Sequence, residues 1–316
     1  MLLVLAGCSD SGTPTATSGS SMDGGNTTAS SAPTETAPAP TVLVGSGPHR
    51  MVAADGVVWI STEVGDVVGI DADSGEVTHR IETGMMLSGI AVVNGRVWVA
   101  ANRERMVLEI DPGTDTVAGQ VLIGEAVRGV TAVGSELWVA AGLEGRLVRM
   151  DANTRTVTGS TPTGPSPAQI AATPAGLWVT DRENNAVVLA DPNGGAVLAS
   201  VDVGGPTIGI AADEQSVWVC RSDLGEVVRI DQATRAVDAR GDLPGTCFGA
   251  ALAEGALWVG GTDGFLRRLD PASLSILGAA RVGVGPIGVV QVGTEIWTAN
   301  SGESTVSRVE ISSVGT

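Results

Sequence analysis

Tryptophan occurs seven times in this chain, at Trp59, Trp98, Trp138, Trp178, Trp218, Trp258 and Trp297, and consecutive copies lie 39 or 40 residues apart. An acid closes the apolar segment after each one, placing Asp71, Asp111, Asp151, Asp191, Asp231, Asp270 and Glu310 in one register. A fixed period near 40 with several short strand-like segments per period is the signature of a propeller. Each unit is one blade that cannot bury its own faces and must stack on its neighbours. At 316 residues the length permits one large domain or two, and the unbroken repeat over 42–316 decides for one.

Inside the fifth repeat the segments are 209–212, 216–220, 226–231 and 236–243. All are short, rich in β-branched residues and bounded by Gly, Asp, Pro or Ser, which predicts four strands and therefore one four-stranded antiparallel blade. In Leu177-Trp178-Val179 and Val217-Trp218-Val219 the apolar residues are consecutive, so both faces of the strand need cover. Face-to-face blades supply it, and each Trp is expected between two blades. The acids sit in hairpin sequences such as Ile70-Asp71-Ala72-Asp73-Ser74-Gly75, where a carboxylate accepts backbone N–H bonds ahead of a Gly or Asn. A calcium loop at Asp71, Asp73 and Glu76 lacks the further ligands and the closing bidentate Glu. The ends close the ring. Thr41 to Gly45 aligns with the outermost strands at Val201–Gly204 and Ala280–Gly283, and the last repeat stops after Glu310 without that strand. The expectation is an all-β, seven-bladed propeller in which residues 41–45 complete the last blade and remove an open edge.

Ahead of the repeats, Met1 to Cys8 is apolar, ends in Leu5-Ala6-Gly7-Cys8, and resembles a bacterial lipoprotein signal, with Cys8 as the residue to be acylated. A membrane-spanning helix needs about 20 apolar residues, so this run does not supply one. Residues 9–41 are mostly Ser, Thr, Gly, Pro and Ala, too poor in large apolar side chains to offset ordering, and read as a tether with a mean span of about 30 Å. The expected organisation is thus signal-like segment 1–8, tether 9–41 and propeller 42–316. Its expected place is the outer face of the bacterial cytoplasmic membrane or the cell envelope, held by lipid at Cys8. The net charge is −17, with no Lys at all. That excludes a nucleic-acid partner, whose affinity rests on cationic neutralisation of phosphates.

Three segments carry a resemblance: Gly283-Val284-Gly285-Pro286-Ile287-Gly288, Ile296-Trp297-Thr298-Ala299-Asn300 and Val227-Val228-Arg229-Ile230-Asp231-Gln232-Ala233-Thr234. They are similar to repeats of the YVTN and streptogramin (virginiamycin B) lyase-like propellers, over residues 42–316. The resemblance implies a seven-bladed propeller, commonly secreted or surface-attached. One enzyme of that superfamily is a magnesium-dependent lyase that uses histidine and glutamate on late blades. The only histidines here, His49 and His79, fall in the first repeat, so the lyase activity is not carried over.

Propellers hold ligands on the face where loops enter the innermost strands and leave the second ones. The residue before the usual Gly of the incoming loop is His49, Ser88, Arg128, Ala168, Ile208, Phe248 and Ile287, and the Gly itself is replaced by Arg50 and Gln169 in repeats one and four. The third residue after Trp supplies Asp181, Arg221 and Asn300 on the other loops. A concave rim of apolar and polar groups is the default binding site. The candidate ligand-binding set is therefore His49, Arg50, Arg128, Gln169, Asp181, Ile208, Arg221, Phe248, Ile287 and Asn300. Clustered arginines on an acidic protein favour an anionic group with an apolar body. No Ser/His/Asp signature, phosphate loop or Cys/His metal spacing is present, so no catalytic residue, metal or cofactor is assigned. Binding of a protein, peptide or glycan is the first reading. The alternatives are a lyase or hydrolase, divalent-metal dependent or not, with Asp181, Arg128 or His49 in acid-base or electrostatic roles, and a purely structural envelope protein. Cys220 and Cys247 fall on facing loops of neighbouring blades and are expected either as a disulfide or as two free thiols.

Overall fold

The structure, a computed structural model, describes residues 38–315. Cys8, the signal-like segment and tether residues 9–37 lie outside the described residues. Each repeat forms one antiparallel sheet of four strands. In the first blade these are Pro48–Ala54, Val57–Thr62, Asp66–Asp71 and Val77–Glu82, in that order from the inside out. Seven such sheets stand in a ring, and the innermost strand of each packs on that of the next, the first blade closing on the seventh. The chain is a seven-bladed β-propeller.

Closure is as the repeat alignment predicts, with a shift in length. Thr41–Leu43 pairs antiparallel with Thr305–Glu310 as the outermost strand of blade seven, in the register Val42↔Val306. The strand is three residues long, because Gly45 at φ 102° turns the chain toward the centre of blade one. Val44, fully buried, donates its N–H to Ser304 O at 3.0 Å, and Ala39 and Pro40 extend the seam through bonds to Arg281 and Arg308.

The core is seven clusters, one per blade interface, and each holds one Trp. This is the physical meaning of the 40-residue period. The indole N–H groups differ from blade to blade. Trp178 Nε1 donates to Gln232 Oε1 at 2.9 Å, Trp218 Nε1 to Pro271 O at 2.9 Å and Trp297 Nε1 to Glu295 Oε2 at 2.8 Å. Those of Trp98 and Trp138 are buried without a partner. His79, on an outermost strand, stacks on Trp59 with ring centroids 4.9 Å apart and bonds Asp115 at 2.7 Å.

The repeat acids act as turn caps. Oδ1 of Asp71, Asp111, Asp151, Asp191, Asp231 and Asp270 accepts a backbone N–H two or three residues on, and Thr234 N reaches Asp231 at 2.7 Å. Glu310, one methylene longer, instead accepts from Thr294 Oγ1. Glycine near the start of the innermost strands has a packing reason. A Cβ on Gly129 would lie 2.2 Å from Ala168 O of the next blade, and Gly89, Gly209 and Gly249 abut their neighbours in the same way. Only glycine lets the innermost strands approach so closely.

Candidate functional site

At the mouth of the ring the incoming loops enclose a cavity of about 280 Å³. His49, Arg50, Arg128, Gln169, Ile208, Phe248 and Ile287, seven of the sequence-predicted residues, line it together. His49, Arg128, Ile208, Phe248 and Ile287 converge because each is the second residue of its innermost strand, and Arg50 and Gln169 follow one residue further in. Arg50 and Gln169, standing where the other blades carry glycine, also line a deeper cavity of about 140 Å³ together with Ile287. They therefore form the waist between mouth and channel. Arg50 Nη1 donates to Ile287 O at 3.0 Å across the seam of blades one and seven, and its buried Nε has no partner.

Three of the predicted residues stand elsewhere. Asp181 is buried and holds loops: Oδ1 accepts from Ser166 N at 3.1 Å and Oδ2 from Asn184 Nδ2 at 2.9 Å. Arg221 is buried within blade five and neutralised, with Nη1 on Glu226 Oε2 at 2.9 Å and Nη2 on Asp223 Oδ2 at 3.0 Å. Asn300 is fully buried, bonded to Thr298, Thr305 and Ser307. The shared reason is register. The third residue after each Trp is the last of its strand, as in Gly176–Asp181 and Ser216–Arg221, so its side chain is packed between sheets. The fourth residue has left the strand and is free to lean over the mouth.

That position supplies what the sequence reading missed. Arg182 and Asn102, each four residues after a Trp, line the cavity, as do Met86 of an incoming loop, Leu87 of an innermost strand, and Ser88 and Ala168 at the shared register position. Its placement is uniform: in all seven blades the N–H of this residue donates to a carbonyl of the incoming loop, at 2.8–3.1 Å, from Glu63 N→Gly47 O to Ser301 N→Gly285 O. Counting one residue further from Trp would have found Arg182.

The electrostatics are one-sided. Arg50, Arg128 and Arg182 make no ion pair among the described residues, while most other arginines of the chain do. Arg128 Nη1 donates instead to the neutral Ser166 Oγ at 2.8 Å. Burial, and then the charge of Arg182, lower Arg50 to about 10 and also lower Arg128, the latter partly offset by Glu183. Both remain cationic at neutral pH. His49 is pushed down to about 3, chiefly by burial and next by Arg50, so its imidazole is neutral there. Ile208, Phe248 and Ile287 form the apolar wall on blades five to seven.

Cys220 and Cys247 share the core between blades five and six as buried free thiols, with no disulfide between them. Cys247 Sγ is turned toward the carbonyls of Glu226 and Arg221, at 3.4 and 3.9 Å, and burial raises Cys220 well above the usual thiol value. A protonated thiol in an apolar core acts as a small hydrophobe and a weak donor.

Comparison with known proteins supports the architecture. No family model matches the chain, and no curated protein matches it. Among solved structures, a hydrazine synthase chain of Kuenenia stuttgartiensis superposes with TM-score 0.77 at 15% identity, covering 90% of this chain and 99% of that one. U3-55K gives 0.76 at 12% identity over 85% and 98%, and the Neurospora crassa Pan2 WD40 domain 0.69 at 12% over 83% and 88%. At these identities the likeness is one of fold.

Proposed function

We propose that this propeller is a binding module that takes an anionic group into its mouth. The observation that carries the reading is the convergence of Arg50, Arg128 and Arg182 without a carboxylate partner, on a protein of net charge −17. Three cations without a carboxylate partner, Arg50 and Arg128 partly desolvated and Arg182 exposed, repel one another, and the repulsion is relieved when an anion accepts their hydrogen bonds. A charge-assisted bond of this kind contributes about 1.5–3 kcal/mol. The wall of Ile208, Phe248 and Ile287 suits an apolar body behind the anionic head.

Two features favour binding over turnover. Asp181 spends both carboxylate oxygens on loop bonds. His49, at about 3, is a weak proton acceptor, and general-base catalysis works best with a pKa near the operating pH. We also propose that the chain acts at the outer membrane face, acylated at Cys8, and that it is a non-catalytic relative of the lyase-like propellers it resembles. Acylation is tested by metabolic labelling with an alkynyl fatty acid: label lost in Cys8→Ser supports it, and label retained refutes it.

Binding is tested by calorimetric titration of hexanoate into the wild type and into an Arg128→Ala, Arg182→Ala double variant. The expected result is saturable binding in the wild type, weakened by roughly 100-fold or more in the double variant at one to two orders of magnitude per lost charged bond. Equal affinity in both proteins refutes the cationic mouth.

A further inference from the structure

The face around the mouth carries a second pattern. Six large aliphatic residues of the described chain are at least half exposed: Leu43, Val64, Leu122, Leu143, Leu224 and Val284, Leu43 the most at 72%. All six lie on the loop face. Val64, Leu143 and Leu224 are in loops between second and third strands, Leu43 and Leu122 end outermost strands, and Val284 is in an incoming loop. The other exposed aliphatics, such as Val77, Val117 and Val157, are less exposed and begin outermost strands at the opposite face. Scattered single apolar residues need no explanation, but confinement of the most exposed ones to one face, around the circumference of a site, marks an interaction surface.

These residues stand outside the mouth, so a ligand small enough for a cavity of about 280 Å³ leaves them in water. That volume is also just below the range of about 300–1,000 Å³ usual for small-molecule pockets, and it suits a side chain or chain terminus. Interleaved with the aliphatics are the exposed carboxylates Glu63, Glu183 and Glu303, which make no ion pair among the described residues. The face thus presents a cationic centre, an aliphatic ring and acids at the loop tips.

We infer that the loop face docks a polypeptide: a segment that inserts one carboxylate, from an acidic side chain or a C-terminus, into the arginine mouth, lays aliphatic side chains on the ring, and sets basic residues against Glu63, Glu183 and Glu303. The inference rests on the anionic reading of the mouth. An anionic lipid surface fits less well, because the loop acids and the net charge of −17 oppose a continuous sheet of phosphates, whereas one carboxylate on a basic, aliphatic segment reaches the arginines without that repulsion.

The test selects random dodecapeptides with free C-termini on the immobilised full chain, then measures winners and hexanoate against two variants. In Leu143→Asp, Leu224→Asp the changes fall on exposed loop positions and leave the mouth intact. The expected result is enrichment of peptides with an acid among aliphatic and basic residues. Their affinity should fall about tenfold or more in the leucine variant, the loss that ~1.4 kcal/mol gives, while hexanoate binding stays unchanged. Both probes should weaken in the arginine double variant. Hexanoate bound but no peptide enriched, or peptides that bind the leucine variant as tightly as wild type, overturns the docking surface and leaves the anion site standing. Neither probe bound overturns both. Co-sedimentation with vesicles of phosphatidylglycerol and phosphatidylcholine, lost in the leucine variant and unmatched by any peptide, overturns the polypeptide in favour of a membrane.

Discussion

The seven tryptophans look equivalent in sequence, but their environments predict unequal costs of replacement. Trp138 and Trp178 are both buried between blades, at 1% and 0% exposure. Trp178 Nε1 donates to Gln232 Oε1 at 2.9 Å, whereas Trp138 Nε1 is buried with no acceptor, its ring covered by Arg149 at 5.8 Å. Phenylalanine at either site removes a similar volume, so the packing loss largely cancels in the comparison. What remains is the N–H. Trp178→Phe forfeits a hydrogen bond that contributes about 1 kcal/mol and leaves Gln232 Oε1 with Thr173 alone. Trp138→Phe removes a donor whose burial without a partner costs about 1–3 kcal/mol. Trp178→Phe is therefore expected to be the more destabilising of the two by about 2 kcal/mol or more. Urea unfolding followed by circular dichroism, with slopes compared before midpoints, measures the difference. Equal destabilisation, or a larger loss at Trp138, refutes the assignment of unequal indole partners.

Three further outcomes follow from the fold. Deleting residues through 45 is expected to lower the melting temperature and promote association through the opened edge of blade seven, while deletion through 37 leaves both unchanged; equal melting of the two forms removes the closing-strand assignment. Gly129→Ala is expected to cost about 1–3 kcal/mol, because its Cβ meets Ala168 O at 2.2 Å and backbone must move. The same substitution at Gly134, where no atom lies within 4 Å but φ is 61°, tests backbone strain alone. Asp231 is held below its ordinary 3.8, first by the backbone N–H of Thr234 and then by its hydroxyl, so the folded state binds its proton less readily than the unfolded chain. Its contribution is complete above 3.8 and lost as pH falls through the lower folded value. The stability gap between wild type and Asp231→Ala should therefore shrink in acid, and a gap constant down to pH 2 contradicts the cap.

Much of the fold was legible because its signal is redundant: each Trp, each turn acid and each four-strand pattern repeats in register, and the alignment of Thr41–Gly45 with outermost strands located the closure. The site was legible where one strand determined it. His49, Arg128, Ile208, Phe248 and Ile287 share one position on innermost strands, Arg50 and Gln169 the next, and both sets converge by symmetry. It was not legible where a side chain's direction depends on where a strand ends. Asp181, Arg221 and Asn300 lie one residue too early, inside the ladder, and Arg182 lies just beyond it. The neutralisation of Arg221 by Glu226 arises from cross-strand pairing, the two being direct ladder partners. The two thiols were open to either state from spacing alone, and the structure places both as free, buried thiols between blades five and six.

Because the chain has only two histidines, His49 can be followed by NMR of its imidazole through an acid titration, with His79→Gln to assign it. His49 lines the cavity beside Arg50 and reports the field of the mouth directly. The account predicts a neutral ring down to about 3 in the free protein and a higher value when hexanoate is bound, since an anion beside the arginines favours the imidazolium. A ring that titrates near its ordinary 6.5 and ignores hexanoate contradicts a desolvated, cationic, anion-seeking mouth.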